Sequence, residues 1–212
     1  MFGLDQEIAS LASGKPLIAL AVAILLGLRH PLDPDHLAAV AAMARDSRQR
    51  SALIGLCWGM GHASTVLVLG IPVVLWTAAM PVSVHEGIEA LIGVVIFALG
   101  LRLLIRHGRG ELHAHPHDPP RSLREAYAVG VVHGAGGSAA IGLLILAAIP
   151  AKGVALGGLL VFALSTALAM SAVAAGLGRG LRALPAAPIG VLVCAFGLWY
   201  LAAAAAEAPY PF

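Results

Sequence analysis

Charge is scarce in this chain: Lys, Arg, Asp and Glu make up 11% of its 212 residues. With 59% hydrophobic residues and a mean hydropathy of +0.91, that scarcity excludes a soluble globular domain. Cysteine is nearly absent. Cys57 and Cys194 stand singly in apolar stretches, without a Cys-x-x-Cys pair, which argues against a thiol-based electron carrier. The net charge of +2 is too small to call for nucleic acid as a partner. The segment from Met1 to Gly14 has Asp5 and Glu7 where a secretory signal would be basic, so no cleavable signal peptide is expected, and the segment reads as a short interfacial helix.

What the chain has in quantity is apolar runs long enough to cross a bilayer core of about 30 Å. Six stand out: about Pro16 to Ala44, Ala52 to Ala79, Ile88 to Ile105, Ala126 to Ala148, Val154 to Leu177 and Ala183 to Ala206. The expected fold is an all-α membrane protein with six transmembrane helices, because only helices and closed barrels satisfy the backbone inside lipid. The first run is too long for one straight span, and Pro31 and Pro34 remove backbone donors in its middle, so a kinked or broken helix is predicted there.

The basic residues alternate as six spans require. Arg45, Arg48, Arg50, Arg102, Arg106, Arg109, Arg121, Arg124, Arg179 and Arg182 fall on one side, against only Lys15 and Lys152 on the other. The positive-inside rule makes the arginine-rich side cytoplasmic and puts both termini outside. The whole chain, 1–212, reads as one transporter domain: a first half of about 16–106, a cytoplasmic loop of about 107–122 and a second half of about 123–206. Halves of three spans each imply inverted topology. The internal similarity that would accompany it is faint, a shared Gly-x-x-His core at Gly59 to His62 and Gly130 to His133.

Against this apolar background one stretch is out of place. Arg29-His30-Pro31-Leu32-Asp33-Pro34-Asp35-His36 sets two aspartates, an arginine and two histidines in the first span. A carboxylate at the centre of a spanning helix costs roughly 2.5–3.5 kcal/mol, which demands a compensating role, and cation binding is the economical one. Depth supports it. His36 lies nine residues before Arg45, His62 twelve after Arg50 and His133 nine after Arg124. At a helical rise of about 1.5 Å these are roughly 14, 18 and 14 Å from the arginine level, close to mid-bilayer. Imidazoles with a carboxylate suit nickel, cobalt, zinc or copper(II) better than magnesium or calcium. The candidate metal ligands are therefore His30, Asp33, Asp35, His36, His62 and His133, with Asp33 equally readable as an i,i+4 partner of Arg29. Plain hydrogen bonding between helices is the competing reading for His62 and His133.

The loop from Arg106 to Pro120 holds His107, His113, His115 and His117 among Gly, Pro and charge. It reads as a disordered segment that either merely links the halves or chelates metal loosely for a cytoplasmic acceptor. His85, beside Glu86, reads as a surface histidine on the outer side.

At these residues the chain resembles a known family. Arg29 to His36 is similar to the His-x4-Asp-His signature of the nickel/cobalt transporter family, most closely its shorter urease-associated nickel permeases. Gly59-Met60-Gly61-His62-Ala63-Ser64-Thr65 resembles that family's second conserved helix, and Val132 to Ala140 the segment opening the second half. The chain departs from the longer members in lacking their acidic second-half motif and in carrying Pro31 where Ala is usual. The resemblance implies a secondary transporter of divalent nickel or cobalt in the bacterial cytoplasmic membrane. His30, Asp35 and His36 would recognise the ion, with His62 and His133 beside them. On this reading the protein is not an enzyme, has no resident cofactor, and meets the metal ion as substrate and lipid as surroundings. Import is favoured. Efflux is the alternative, followed by an intramembrane zinc hydrolase using Ser64 or Ser138, and by a metal-sensing subunit without transport of its own.

Overall fold

The computed structural model describes residues 16–47, 50–76, 82–110, 122–136, 142 and 145–206. Among them the chain is entirely helical: α1 (Pro16–Arg29), a 3-10 turn (His30–Leu32), α2 (Pro34–Ser47), α3 (Ser51–Trp76), α4 (Val82–Gly108), α5 (Leu123–His133), α6 (Lys152–Gly180), a second 3-10 turn (Leu181–Ala183) and α7 (Ala186–Ala205). The N-terminal segment to Gly14 and loop residues 111–121, with His113, His115 and His117, lie outside the described residues.

The predicted break in the first run is present. Pro34 forces the residue before it out of the helical region, and Asp33 is extended, with φ −64° and ψ 142°. The chain restarts at once, because the Asp33 carbonyl accepts from Leu37 N–H at 2.9 Å and Pro34 takes the first helical position, where a missing N–H costs nothing. The two segments meet at a bend of 59°.

Four helices, α3, α4, α6 and α7, are long and apolar enough to span a membrane, and the bent pair α1–α2 makes a fifth if counted as one span. The expected span from Ala126 to Ala148 is not one continuous described helix: α5 ends at His133, and residues 137–141 and 143–144 lie outside the described residues. Large apolar side chains face outward along the spans, among them Val68, Leu168 and Leu192, each about two-thirds exposed. That pattern is what lipid, rather than water, demands of a helix surface.

Packing is close because small residues line the contacts. α4 lies on α7, α3 lies on both α6 and α5, and α1 lies on α6. At the α4–α7 contact a Cβ on Gly197 would come 2.5 Å from the Phe97 nitrogen, and one on Gly93 would come 2.9 Å from the Leu201 nitrogen. At one end of the bundle, Arg45 on α2 donates to the Leu184 carbonyl before α7 at 3.3 Å, and Arg102 on α4 pairs with Glu125 on α5. At the other, Lys152 opens α6 by donating to the Val74 carbonyl near the end of α3 at 2.7 Å.

Candidate metal centre

The break between α1 and α2 does more than bend the chain. On a straight helix, His30 and His36 would point about 120° apart around the axis. With a 3-10 turn and an extended Asp33 between them, their ring centroids lie 4.4 Å apart. His62 from α3 joins them, with its Nε2 3.0 Å from His30 Nε2 and its ring 5.2 Å from His36. One ligand nitrogen from each of these three buried residues lies within 4.8 Å of the others. An ion bound at about 2.0–2.1 Å to each nitrogen needs donors within about 4.2 Å, so small ring rotations suffice to close such a shell.

His133, at the end of α5, has its ring centroid 5.7 Å from that of His36. Glycine brings it there. A Cβ on Gly130 would lie 2.0 Å from the Trp58 carbonyl oxygen and 2.9 Å from the His62 nitrogen, and one on Gly134 would lie 2.5 Å from the His62 carbonyl oxygen. The α3 and α5 backbones therefore touch at the level of His62. Thr65 adds a bond across the same contact, donating to the Val131 carbonyl at 2.9 Å.

Burial is complete: His36, His62 and His133 are 0% exposed and His30 is 3%. Both ring nitrogens of His36, both of His133 and Nδ1 of His62 make no hydrogen bond. Buried polar atoms are nearly always partnered, so this concentration of unpartnered ring nitrogens calls for an explanation.

The two aspartates occupy different positions. Asp33 sits behind His30, with Oδ2 3.2 Å from its Nδ1 and Oδ1 3.5 Å from the exposed Arg29 guanidinium. A carboxylate on Nδ1 fixes ring orientation and leaves Nε2 facing the cluster, as a supporting carboxylate does behind a metal-bound histidine. Asp35 is buried, with Oδ1 3.0 Å from Nδ1 of His36, within ion-pair range but outside hydrogen-bond geometry. Thus His30, His36 and His62 come together, His133 and Asp35 lie next to His36, and Asp33 stands on the outer side of His30.

Two aromatic residues that the residue pattern did not single out enclose the cluster. Trp58 lies 5.4 Å from His36 and 5.8 Å from His133 between ring centroids, and Phe162 on α6 lies 5.6 Å from His30. Trp58 was detectable in principle, being one helical turn before His62; Phe162 had no local signal. Away from the cluster, Glu89 on α4 is buried, accepts a hydrogen bond from the Tyr200 hydroxyl on α7, and has Oε1 3.9 Å from His85 Nε2.

These features define a multi-pass helical membrane protein enclosing a buried histidine cluster. Residues 17–106 match the NicO family, described as high-affinity nickel-transport protein. The urease accessory protein UreH of Bacillus sp. (strain TB-90) is 29% identical over 164 residues, 71% of this chain and 72% of that protein. The cobalt transport protein NhlF of Rhodococcus rhodochrous is 31% identical over 86 residues, 39% of this chain and 24% of its own length. No solved structure matches. The family match covers residues 17–106 alone, and over that stretch the chain is similar to high-affinity nickel-transport proteins.

Proposed function

We propose that this protein is a secondary transporter that imports divalent nickel or cobalt across the bacterial cytoplasmic membrane, binding the ion at the histidine cluster between α1–α2, α3 and α5. The observation that carries the reading is the convergence of buried imidazoles from three segments, with both ring nitrogens of His36 and His133 and Nδ1 of His62 outside any hydrogen bond. His30, His36 and His62 provide the first donors. Asp35 and His133 complete the approach to His36, and Asp33 orients His30. No reaction is catalysed; the metal is cargo, and neutral imidazoles replace part of its water shell. Trp58 and Phe162 close the cluster on two sides, so release requires the helices that carry them to move.

The same reading includes six spans in two inverted halves within one domain, with α5 beginning the fourth span and both termini outside. The contact pattern supports it. Gly93 meets Leu201 while Gly197 meets Phe97, and the first-half residues Gly93 and Phe97 precede the second-half residues Gly197 and Leu201 by the same sequence separation. Gly59 meets Ala167 while Ala63 packs with Ala163, at that separation again. Antiparallel packing alone gives contacts that step in this way; what a two-fold relation adds is the same separation in two different helix pairs. Gly27 against Phe162 then corresponds to Gly130 against Trp58, with Trp58 and Phe162 at that separation and Gly27 and Gly130 one residue closer. The Gly-x-x-His core of the second half, Gly130 to His133, thus pairs with Gly27 to His30 rather than with Gly59 to His62. A substrate site at the interface of such halves is the usual transporter plan.

Uptake of radiolabelled nickel by cells expressing the chain or its His36→Ala variant tests this function. The wild type is expected to raise cellular nickel, with His36→Ala reduced to background. Equal accumulation by both would remove the role assigned to the cluster, and a fall in cellular nickel on expression would reverse the direction.

A further inference from the structure

Within the two-fold relation, His30 corresponds to His133 and Trp58 to Phe162. The counterpart of His62 is then Thr166 on α6, one helical turn after Phe162 as His62 follows Trp58. Thr166 is 0% exposed and its hydroxyl has no hydrogen-bond partner. That is unusual for a hydroxyl in a membrane helix, where the carbonyl one turn back is available. Ser64 returns its hydroxyl to the Gly61 carbonyl at 2.7 Å, Ser165 to Val161 at 2.8 Å, and Ser171 reaches Ala52 at 2.9 Å. Thr166 does none of this. Its neighbours on the same buried face bracket the cluster: the Phe162 ring contacts His30, and Ala163 and Ala167 pack on Ala63, next to His62.

We infer that the Thr166 hydroxyl supplies an oxygen to the coordination shell of the transported divalent ion, as the second-half counterpart of His62. The inference rests on the function proposed above and adds a ligand to its site. A borderline first-row ion accepts mixed nitrogen and oxygen shells, and three imidazoles alone leave positions open on it.

The test compares purified wild type with Thr166→Val and Thr166→Ser, measuring Ni²⁺ binding by calorimetry, the Co²⁺ absorption spectrum and metal-free melting. Thr166→Val keeps the shape and removes the oxygen. It is expected to weaken Ni²⁺ binding about tenfold or more and to alter the Co²⁺ bands. It is also expected to raise the metal-free melting temperature, because it deletes a buried unpartnered hydroxyl. Thr166→Ser should restore affinity and spectrum. Unchanged affinity and bands in Thr166→Val overturn the inference, as does loss of binding in both variants together with lowered melting, which would mark a packing role. If wild type binds no Ni²⁺, the proposed function fails and takes this inference with it. If wild type binds and His36→Ala does not while Thr166→Val is unaffected, only the Thr166 assignment falls.

Discussion

Gly130→Ala is the smallest perturbation that should disable transport without touching a ligand. The added methyl carbon would lie 2.0 Å from the Trp58 carbonyl oxygen. That oxygen is fixed in the backbone of α3, so neither partner can rotate away, and relief requires α5 to back off by at least about 1 Å. His133 rides on α5 three residues later, so it moves away from His36 by a similar amount. Site geometries tolerate about 0.5 Å, and a displacement near 1 Å costs on the order of 100-fold in rate. Overpacking should also destabilise the protein by about 1–3 kcal/mol, against which the better helix propensity of alanine, about 1 kcal/mol, is a partial offset. The assay is the initial rate of nickel uptake normalised to membrane-inserted protein, with Gly157→Ala and Gly176→Ala as controls. Neither control position on α6 has an atom within 4 Å of an added Cβ. Both controls should transport normally and melt no lower than wild type. If Gly130→Ala takes up nickel within twofold of wild type, the α3–α5 contact does not set the geometry of the cluster.

Other outcomes follow from the same geometry. Only the neutral imidazole can bind metal, so Ni²⁺ binding to the purified protein should weaken as the solution is made acidic; binding isotherms over a pH series check this, and affinity that does not fall in acid would argue against imidazole ligands. The Arg102–Glu125 pair joins α4 to α5 but is about two-fifths exposed on each side, so Glu125→Gln should change melting stability by less than about 1 kcal/mol and leave uptake intact. Asp33→Asn should keep the fold while reducing nickel affinity about 10-fold, because an amide orients the His30 ring less firmly than a carboxylate does; a binding isotherm measures this.

Much of the site was legible because charge inside an apolar run is so costly that it announces itself. His30, Asp33, Asp35 and His36 stood out on that ground alone, and the common depth of His36, His62 and His133 follows from helix rise and the positions of the arginines. The break at Pro31 and Pro34 was equally plain, since a missing N–H is a local fact. Trp58, Phe162 and Thr166 carry no such signal, being ordinary residues in a membrane helix. Asp33 was ambiguous for a related reason: spacing allowed both an Arg29 pair and a ligand role, and only the extended backbone at Asp33 turned its carboxylate toward Nδ1 of His30. Gly-x-x-His is too short a pattern to choose among three histidines, so the sequence alone could not align the two halves.

The sequence by itself determined the apolar surroundings, the four long apolar helices, the break and the residue types able to hold a transition metal, because burial cost, backbone donors and ligand chemistry are properties of residues. Tertiary structure decided which of those residues share a space. That depends on how near two backbones can come, and here the bare Cα atoms of Gly130 and Gly134 against α3 bring His133 to the side of His36.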